Sequence, residues 1–355
     1  MRQYTYQNTA SGTPTLGGSE TIEIDKTGYI SEINCLFKIP VATAAATVAP
    51  ESKFPDDVAR LIKSARLYSG STTYWAVDDG REWFWDNFFH YKGKNLPYII
   101  ANDGTNSYGP AQPFGTAATT YYLPLTIHLG NQHYNPYDPT CPIPARELTQ
   151  LNLEINYNDQ AEFDTNATPT FALGTCELTI SINELQLEAG ETREKIWPAG
   201  LLSPRYEPTT ITGETGAHTN LSLKHNCPVG DTLVYSVIVV LDGAVYNRLR
   251  SDSLVTEIGI EIPKMREKPW RLNWMDIVAN QKRLFGYHMP NYLGVDVASD
   301  ATHDFGVIFF PWSWISGKPE GLDVSSYLPG DVKMSFTTGS MESSDKILIL
   351  DAMMG

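Results

Sequence analysis

The sequence predicts an all-β chain built as two tandem eight-stranded β-sandwiches, each with one inserted α-helix. Only 19% of the 355 residues are charged, whereas Gly (27) and Pro (23) are plentiful, a balance typical of short strands joined by long turns. The chain exceeds the length at which a single hydrophobic core usually stops growing, and its hydrophobic content of 42% can support two cores. A helix pattern that occurs twice, with strands in the same order around it, indicates the duplication.

Alternation of apolar and polar residues marks the strands of the first half. In the clearest strand, Leu151, Leu153, Ile155 and Tyr157 alternate with polar residues. The other predicted strands contain Ile22 and Ile24, residues 33–39, 61–68, 73–77, 121–129 and 178–187. In the last of these the apolar positions change parity, which predicts a one-residue β-bulge near Asn183.

An aromatic cluster predicts the first helix. Five large rings lie within residues 83–89, namely Trp83, Phe84, Trp85, Phe88 and Phe89. Asp79 and Glu82 have the spacing of a capping box, and Gly93 supplies a left-handed stop, so we expect a helix over residues 80–92. Phe84, Phe88 and Tyr91 would share one face of it. Because each buried ring contributes several kcal/mol, we expect this helix to belong to the core.

The second half repeats this order. Strands are predicted at 221–223, 232–241 and 254–262, followed by a helix that begins after Asn273 and stops at Gly286. One side of this helix carries Trp274, Ile277, Val278, Leu284 and Phe285. The strands at 305–310, 332–336 and 347–350 then correspond to those at 123–129, 151–157 and around Ile180. Because these features recur in one order, the sequence predicts two similar domains.

The composition along the chain suggests the domain limits. Residues 1–18 are polar and rich in Thr, Ser and Gly, so we expect an N-terminal arm that is mobile or ordered by a partner. We place the first β-sandwich at 19–190, a proline-rich linker at 191–208 and the second β-sandwich at 209–355.

The net charge of the chain indicates which classes of binding partner are compatible with it. A net charge of −15 argues against a nucleic-acid backbone as the main partner, because phosphate binding needs clustered Lys and Arg. One stretch, 248–283, has a local excess of basic residues. It fits a solvated surface, or else a patch that faces a membrane or another subunit.

The cysteines and the N-terminal residues indicate the redox state and the cellular compartment of the chain. Cys35, Cys141, Cys176 and Cys227 are widely separated, so we expect free and mostly buried thiols. Residues 1–18 lack the apolar core of a signal peptide, and no run of about 18 apolar residues occurs. We therefore expect a chain that is made in a cytoplasm and stays soluble.

Candidate catalytic residues have structural explanations. Asp78 and Asp79 are an acid pair at a helix start, where acids favour the helix dipole and cap the backbone. Asp56 and Asp57 precede a predicted strand or turn, and capping and solvation suffice to explain their presence there. The members of a Ser-His-Asp triad are brought together only by folding, so the sequence cannot exclude such a triad. Because no nucleophile elbow, phosphate-binding glycine loop or paired zinc ligands occur, we predict no catalytic or cofactor-binding residue.

Two places in the sequence carry residues of the kinds that bind metals. His128 and His133 frame the end of a predicted strand. One loop is crowded by Asp296, Asp300, His303 and Asp304, an oxygen-rich set of the kind that hard cations such as Ca²⁺ prefer. The spacing matches no known metal loop, so a solvated acidic loop is favoured and no metal or cofactor is predicted. Whether a metal stabilises the loop from Asp296 to Asp304 stays open.

The layout resembles the double jelly-roll major capsid proteins of the adenovirus and tectivirus lineage. The resemblance rests on two β-sandwiches in one chain, a helix at the same place in each (82–92 and 274–285), long loops at 102–120 and 132–146, and a polar N-terminal arm. It covers essentially the whole chain and is one of architecture, without signature residues. It implies that each β-sandwich is an eight-stranded jelly roll.

This resemblance implies a structural and non-enzymatic role. Members of that lineage form homotrimers whose six jelly rolls make a pseudo-hexameric capsomer of an icosahedral shell around double-stranded DNA, often with an internal membrane. The implied partners are the chain itself, neighbouring capsomers, penton and minor capsid proteins, and internal membrane lipid, without sequence-specific nucleic-acid binding. The implied location is the virion, after synthesis in the host cytoplasm. The sequence ends at Met353-Met354-Gly355, so we do not expect a basic C-terminal helix that reaches lipid.

Two other functions stay open from sequence. One is a carbohydrate-active enzyme or amidase built from two jelly rolls, with Asp and Glu catalysis in the groove between domains. The other is a sugar-binding module, such as a fibre or lectin-like protein, in which Trp312, Trp314 and the aromatic helix would line a groove. The helical spacing of those rings favours core packing.

Overall fold

The computed structural model describes residues 2–43, 56–90, 100–102, 107–108, 119–129, 141–162, 172–198, 200–219, 223–243, 249–285 and 306–355. The described residues form two compact units, with a boundary between Arg205 and Tyr206. This boundary falls inside the predicted linker. The predicted limits of the arm (1–18), the two jelly rolls (19–190 and 209–355) and the linker (191–208) stay a prediction.

Unit 1 consists of two antiparallel sheets. Its strands are β1 (Arg2–Gly12), β2 (Ser19–Glu23), β3 (Tyr29–Thr43), β4 (Ile62–Ser69), β5 (Thr72–Val77), β6 (Ile100–Asn102), β7 (Ser107–Tyr108), β8 (Thr120–His128), β9 (Asn152–Tyr157), β10 (Ala172–Leu173) and β11 (Glu177–Gln186). One sheet has the order β1-β11-β3-β8-β6-β7, with β10 also paired to β3, and the other has the order β2-β9-β4-β5. In β9, Leu153, Ile155 and Tyr157 are buried and alternate with half-buried polar residues, as predicted.

The first strand differs from the expectation of a mobile or partner-ordered arm. β1 pairs antiparallel with β11, from Arg2 opposite Gln186 to Gly12 opposite Leu178, with a register shift between Tyr6 and Ala10. Main-chain hydrogen bonds do not need apolar side chains, so a polar segment can extend the edge of a sheet. This segment is therefore ordered by its own chain.

The bulge predicted near Asn183 is confirmed. The register between β11 and β3 shifts between Asn183 and Glu184. Asn183 lies opposite Glu32 and Glu184 lies opposite Ile30, so the extra residue of this bulge is Ser31 on β3. Ile182 and Leu185 on β11 are both buried.

The aromatic helix is the centre of unit 1. Helix α1 (Gly80–His90) begins where the sequence predicts, and Tyr91, Lys92 and Gly93 lie outside the described residues. The prediction of one buried face is too narrow, because every residue of α1 is buried. The helix packs against β4, β5, β8 and the 3-10 helix Asp57–Leu61, so neighbours cover it on several sides. Unit 1 also contains the short helix α2 (Arg193–Ile196) and the 3-10 helices Ala145–Glu147 and Gln160–Glu162.

Unit 2 is built in the same way. Its strands are β12 (Pro204–Thr212), β13 (Gly216–Ala217), β14 (Leu223–Asn226), β15 (Thr232–Asp242), β16 (Leu249–Arg250), β17 (Val255–Glu261), β18 (Trp270–Asn273), β19 (Val307–Pro311), β20 (Leu322–Asp323), β21 (Lys333–Thr338), β22 (Ser340–Met341) and β23 (Lys346–Met354). One sheet has the order β12-β23-β15-β16, with β19 and β20 also paired to β15. A second has the order β14-β21-β17-β18, and β13 pairs with β22.

The second predicted helix is also confirmed. Helix α3 (Trp274–Phe285) follows β18, and the side chain of Asn273 accepts hydrogen bonds from the backbone N–H groups of Met275 and Asp276. Trp274, Ile277 and Val278 belong to the buried core of unit 2, whereas the side chains of Leu284 and Phe285 and the stop at Gly286 lie outside the described residues. A further short helix, α4 (Ser313–Ser316), follows β19.

The two units share one strand order. The series β1-β11-β3-β8 in unit 1 corresponds to β12-β23-β15-β19 in unit 2, and β2-β9-β4-β5 corresponds to β14-β21-β17-β18. The helices α1 and α3 follow the corresponding strands β5 and β18. Eight strands of each unit therefore match in order, which confirms the predicted repeat of two eight-stranded sandwiches.

Candidate functional site

Unit 2 brings together a serine, a histidine and an aspartate. Asp351 on β23 lies directly opposite Ser236 on β15. Ser236 Oγ donates a hydrogen bond to Asp351 Oδ1 over 2.5 Å, and His225 Nε2 lies 2.6 Å from Asp351 Oδ2. Trp312 Nε1 donates to Ser236 Oγ over 2.9 Å. The sequence left such a constellation open without identifying its members.

The order of this cluster does not suit nucleophilic catalysis. In a catalytic triad the histidine lies between the nucleophile and the acid and takes the proton of the hydroxyl. Here Asp351 is the central residue, and the hydroxyl of Ser236 points to the carboxylate rather than to the imidazole. All three side chains are buried, so a substrate cannot reach the hydroxyl. The cluster satisfies buried polar groups, which is a structural role.

Unit 1 contains a corresponding polar row across four strands. Thr5 on β1 lies opposite Asn183 on β11, Asn183 lies opposite Glu32 on β3, and Glu32 lies opposite His128 on β8. Thr5 Oγ1 donates to Asn183 Oδ1 over 2.8 Å, and Asn183 Nδ2 donates to Glu32 Oε2 over 2.7 Å. His128 Nδ1 lies 2.9 Å from Glu32 Oε1.

The end of this row adjoins the aromatic helix. The imidazole of His90, in the last turn of α1, stacks on that of His128 with 3.7 Å between centroids and an angle of 7°. Because Asn183, Glu32, His128 and His90 are buried, the row connects β11, β3, β8 and α1 in the interior of the unit. Thr5 on β1, at the other end of the row, is exposed. His128 and His133 were one of the two places that the sequence offered for metal binding. His128 contacts Glu32 and His90, and His133 lies outside the described residues.

Of the acid pair at the start of α1, Asp79 caps the helix with its side chain, as predicted. Asp79 Oδ1 accepts hydrogen bonds from the backbone N–H and the Nε of Arg81. Glu82 Oε2 accepts from the backbone N–H groups of Asp78 and Asp79. The carboxylates of Asp79 and Glu82 thus satisfy backbone N–H groups at the start of the helix.

Burial changes the proton affinity of these acids. Burial raises the pKa of Glu82 well above its ordinary value of 4.5, although the two backbone N–H groups act in the opposite direction. Burial also raises the pKa of Asp78, and the neighbouring charge of Asp79 adds to this effect. A raised pKa is typical of functional acids, but Glu82 is fully enclosed and its Oε2 accepts the hydrogen bonds of two backbone N–H groups.

The prediction that capping and solvation explain Asp56 and Asp57 is wrong, because both residues are buried. Asp56 makes no side-chain cap to the 3-10 helix that follows it, and its Oδ2 instead accepts a hydrogen bond from Trp85 Nε1 over 2.8 Å. Asp57 Oδ1 lies 3.7 Å from an amino nitrogen of the buried Arg60. The packing of α1 against this segment removes both acids from solvent.

The aromatic residues belong to the hydrophobic core, which is the role that the sequence favours. Trp83, Phe84, Trp85, Phe88 and Phe89 are fully enclosed, and Trp83 Nε1 donates to the carbonyl of Thr126 over 2.9 Å. In unit 2, Trp312 is also fully enclosed, whereas Trp314 is 37% exposed. A sugar-binding platform needs several exposed rings, so neither group supplies one.

The basic stretch 248–283 is partly neutralised. Lys264 Nζ lies 2.7 Å from Asp331 Oδ2, and an amino nitrogen of Arg271 lies 3.4 Å from Glu257 Oε1. Arg266 and Lys268 are exposed, and the guanidinium of Arg266 lies over the ring of Trp270. These contacts are typical of a solvated surface.

Thiols and metal ligands give no site within the described ranges. All four cysteines are free and buried, as predicted. Burial raises the pKa of Cys35 and Cys227 and raises that of Cys176 to about 11, which disfavours thiolate nucleophiles at neutral pH. No group of three or more His, Cys, Asp or Glu there could hold a metal ion. The loop from Asp296 to Asp304 lies outside these ranges.

None of the helices among the described residues has the length and hydrophobicity that crossing a membrane requires. A cavity of about 600 Å³ in unit 1 is lined mainly by small residues of 13–16 and 172–176, among which Cys176 is the only thiol. A second cavity of unit 1, of about 410 Å³, is lined by residues that include Lys26, Tyr29 and Glu184.

Comparison with known proteins identifies the fold. No family model and no curated protein sequence matches this chain. The crystal structure of the STIV MCP matches with a TM-score of 0.67 at 14% identity, over 100% of this chain and 97% of that chain. The PBCV-1 virus capsid gives 0.58 at 12% identity, over 99% and 93% of the two chains. The major capsid protein P2 from Bacteriophage PM2 gives 0.52 at 10% identity, over 100% and 97%. The chain therefore has the double jelly-roll fold of the major capsid proteins to which it is similar, as the sequence predicts.

Proposed function

We propose that this chain is the major capsid protein of an icosahedral virus and that it assembles as a homotrimer whose six jelly rolls form a pseudo-hexameric capsomer. The observation that carries the proposal is the match of the entire chain, both units included, to 97% of the STIV MCP. A jelly roll alone hosts many functions, so the fold needs support from the chemistry of the chain.

The buried polar side chains of both units support a structural role, which we propose without catalysis, cofactor or metal. The Ser236, His225 and Asp351 cluster is buried and has the wrong order for a triad, and the acids of α1 cap the helix. Polar groups on corresponding sheets of both units are used to connect strands. Such networks make a sheet register specific, which suits a subunit that must be rigid in a large assembly.

The partners follow from this proposal. The chain would contact two copies in its trimer, neighbouring capsomers, and penton and minor capsid proteins, with internal membrane lipid as a further contact. It would not bind nucleic acid in a sequence-specific manner, in line with its charge of −15. Its location would be the virion, after synthesis in the host cytoplasm. The domain limits proposed from sequence place one jelly roll at 19–190 and the other at 209–355 around the linker 191–208, and we propose to extend them to include β1 (Arg2–Gly12) and β12 (Pro204–Thr212).

Light scattering after size-exclusion chromatography tests the oligomeric part of this proposal. We expect a species of three times the 39.5 kDa chain mass, or larger shells, at micromolar concentration. A stable monomer over the same range of concentration would contradict it.

Activity-based labelling tests the non-enzymatic part. A fluorophosphonate probe reacts with an activated serine, so we expect no labelling of Ser236 in the folded protein and no hydrolysis of glycan or amide substrates. Labelling that is lost in Ser236→Ala would show that this serine is an activated nucleophile. Glycan hydrolysis by a monomer would instead support the carbohydrate-active alternative.

A further inference from the structure

The two inserted helices carry a buried amide side chain at the same position. Asn87 is the eighth residue of α1, and Gln281 is the eighth residue of α3. Both are almost completely enclosed, with 2% and 0% of their surface exposed. Burial of a polar group is costly unless the group is hydrogen-bonded, so an amide at this point needs partners. Those partners are main-chain groups of β8 and β19.

The amide of Gln281 contacts β19 in the manner of a neighbouring strand. Its Oε1 accepts a hydrogen bond from the backbone N–H of Phe309 over 2.7 Å, and its Nε2 donates to the carbonyl of Val307 over 3.3 Å. Among the described residues, β15 is the one strand that pairs with β19. Because successive residues of an antiparallel strand direct their main-chain groups to opposite sides, the groups that Gln281 contacts lie on the edge away from β15. The amide therefore occupies the outer edge of β19.

Asn87 makes the same kind of contact in unit 1. Its Nδ2 donates to the carbonyl of Thr126 over 2.6 Å, and its Oδ1 accepts from the backbone N–H of Thr126 over 2.6 Å. Thr126 lies opposite Asn34 of β3, on one side of β8. On the other side, the described pairs between β8 and β6 cover residues 120–122 of β8. The amide of Asn87 therefore occupies the edge of β8 beyond the end of β6.

A sheet edge of this kind is a template for association. Its N–H and C=O groups can pair with any other extended strand, and every copy of the chain carries the same edges. Natural sheets avoid such pairing by covering the edge with a helix or by placing proline on it. Both devices occur at β19, because α3 packs against this strand and its last residue, Pro311, lacks an N–H group. Without the amide of Gln281, this edge would regain one donor and one acceptor.

We propose that Asn87 and Gln281 are edge locks, residues that hold each helix on the outer strand of a sheet and prevent that edge from pairing with a second copy of the chain. The contact is autoinhibitory, because it covers a strand-pairing surface that every subunit contains. An apolar residue at either position would keep the helix packed but would leave main-chain groups of the strand unpaired. The two locks lie within separate units and act independently of the capsid role proposed above.

Hydrogen exchange followed by mass spectrometry on the full chain tests the lock in unit 2. Gln281→Met keeps the length of the side chain but removes both hydrogen bonds to β19. We expect the peptide that covers residues 306–311 to exchange about tenfold faster or more than in the wild type, whereas the peptide that covers β9 keeps its wild-type exchange. Near-ultraviolet circular dichroism checks that the variant is folded. Wild-type exchange of residues 306–311 in the folded variant would overturn the proposal.

Asn87→Leu repeats the test in unit 1, because leucine has nearly the shape of asparagine without its donor and acceptor. Exchange should rise in the peptide that covers residues 122–128 and stay unchanged in the peptide that covers residues 306–311. Gln281→Met should give the reverse result, so each variant is the matched control of the other. A rise in both peptides for either variant would show a general loss of structure rather than an opened edge and would count against the locks.

The association of the variants tests the blocking role. Light scattering and thioflavin T fluorescence of each folded variant are compared with those of the wild type at equal protein and salt concentration. We expect a several-fold increase for Gln281→Met that grows with protein concentration. Ile349→Ala is the control, because Ile349 is a buried core residue on β23, whose neighbours are β12 and β15, and its truncation lowers stability while the lock remains. An equal increase in Ile349→Ala at a comparable urea midpoint, or no increase in Gln281→Met, would overturn the blocking role.

Gln281→Glu provides a rescue that distinguishes the hydrogen bonds from packing. A protonated carboxyl group has a donor and an acceptor, as the amide does, and burial favours the protonated form. At pH 5 we expect Gln281→Glu to keep the wild-type exchange and association that Gln281→Met loses. Exchange of residues 306–311 that is about tenfold faster than in the wild type at pH 5 would refute the lock, whether or not Gln281→Met folds.

Discussion

Asn183 on β11 donates a hydrogen bond from Nδ2 to Glu32 Oε2 on β3 over 2.7 Å, at the position where the register of the two strands shifts. The amide oxygen of the same asparagine accepts from Thr5 on β1. One side chain thus connects three neighbouring strands at a bulge. Since a bulge interrupts the main-chain ladder, a side-chain contact at this point fixes the register that the backbone leaves less specified.

Replacement of Asn183 by alanine should therefore destabilise the protein. Asn183→Ala removes a donor to a buried carboxylate, and hydrogen bonds to charged groups contribute about 1.5–3 kcal/mol. We expect the free energy of unfolding, measured by urea denaturation at fixed protein concentration, to fall by about 2–3 kcal/mol. Asn156→Ala is the matched control, because its half-buried amide donates only to the neutral Ser64 hydroxyl, and about 1 kcal/mol or less is expected. Equal losses for the two variants would contradict the role of Asn183.

The core role of the aromatic helix predicts a large effect of Trp83→Ala. Trp83 is fully enclosed, lies against Trp75 with 4.6 Å between centroids, and donates to the carbonyl of Thr126. Truncation of a buried tryptophan costs about 3–5 kcal/mol, so we expect loss of soluble folded protein or a loss of that size in urea denaturation. Trp314→Ala, at a partly exposed ring, should cost much less. A folded Trp83→Ala protein with wild-type stability would show that the helix is not part of the core.

Glu82 predicts a pH dependence of stability. Its pKa in the folded protein is raised by burial, so the folded state holds this proton more tightly than the unfolded state. The stabilisation is complete below the ordinary value of 4.5 and is lost as the pH rises through the raised pKa. Asp78, also raised, acts in the same direction.

Glu82→Gln tests this dependence, because glutamine keeps an oxygen acceptor for the backbone N–H groups of Asp78 and Asp79 but does not titrate. We expect the difference in urea midpoint between Glu82→Gln and wild type to grow in favour of the variant as the pH rises from 4.5 to 8. A difference that is constant over this range would show that Glu82 does not contribute.

The net charge of −15 predicts that assembly depends on salt. Copies of an acidic chain repel one another, and screening lengths grow from about 10 Å at 0.1 M to about 30 Å at 0.01 M ionic strength. We therefore expect light scattering to show fewer assembled particles at 0.01 M than at 0.1 M salt at the same pH. Particles that are equally stable at both ionic strengths would argue against this repulsion.

The sequence predicted those elements whose signal is local. Period-two alternation located β9, and the change of parity near Asn183 located the bulge, because these patterns reflect which face of a strand is buried. The capping pattern located the start of α1, because a helix cap is formed by residues that lie within one turn of each other.

Elements that depend on distant partners were not predicted. β1 is polar and has no apolar alternation, and its strand conformation depends on pairing with β11, which lies more than 160 residues away. The burial of Asp56 depends on the approach of Trp85 from α1. The polar row through Glu32 and the cluster around Asp351 are likewise formed only by strand pairing, although a charged residue within an apolar strand was an available signal in both cases.

Electron microscopy of particles assembled from the purified chain tests the central proposal most directly. If the chain is a major capsid protein, averaged images will show capsomers of pseudo-sixfold outline, each accounted for by three copies of the chain with two jelly rolls per copy. Particles whose capsomers contain any other number of copies, or a protein that stays monomeric under all conditions of salt and concentration, would contradict it.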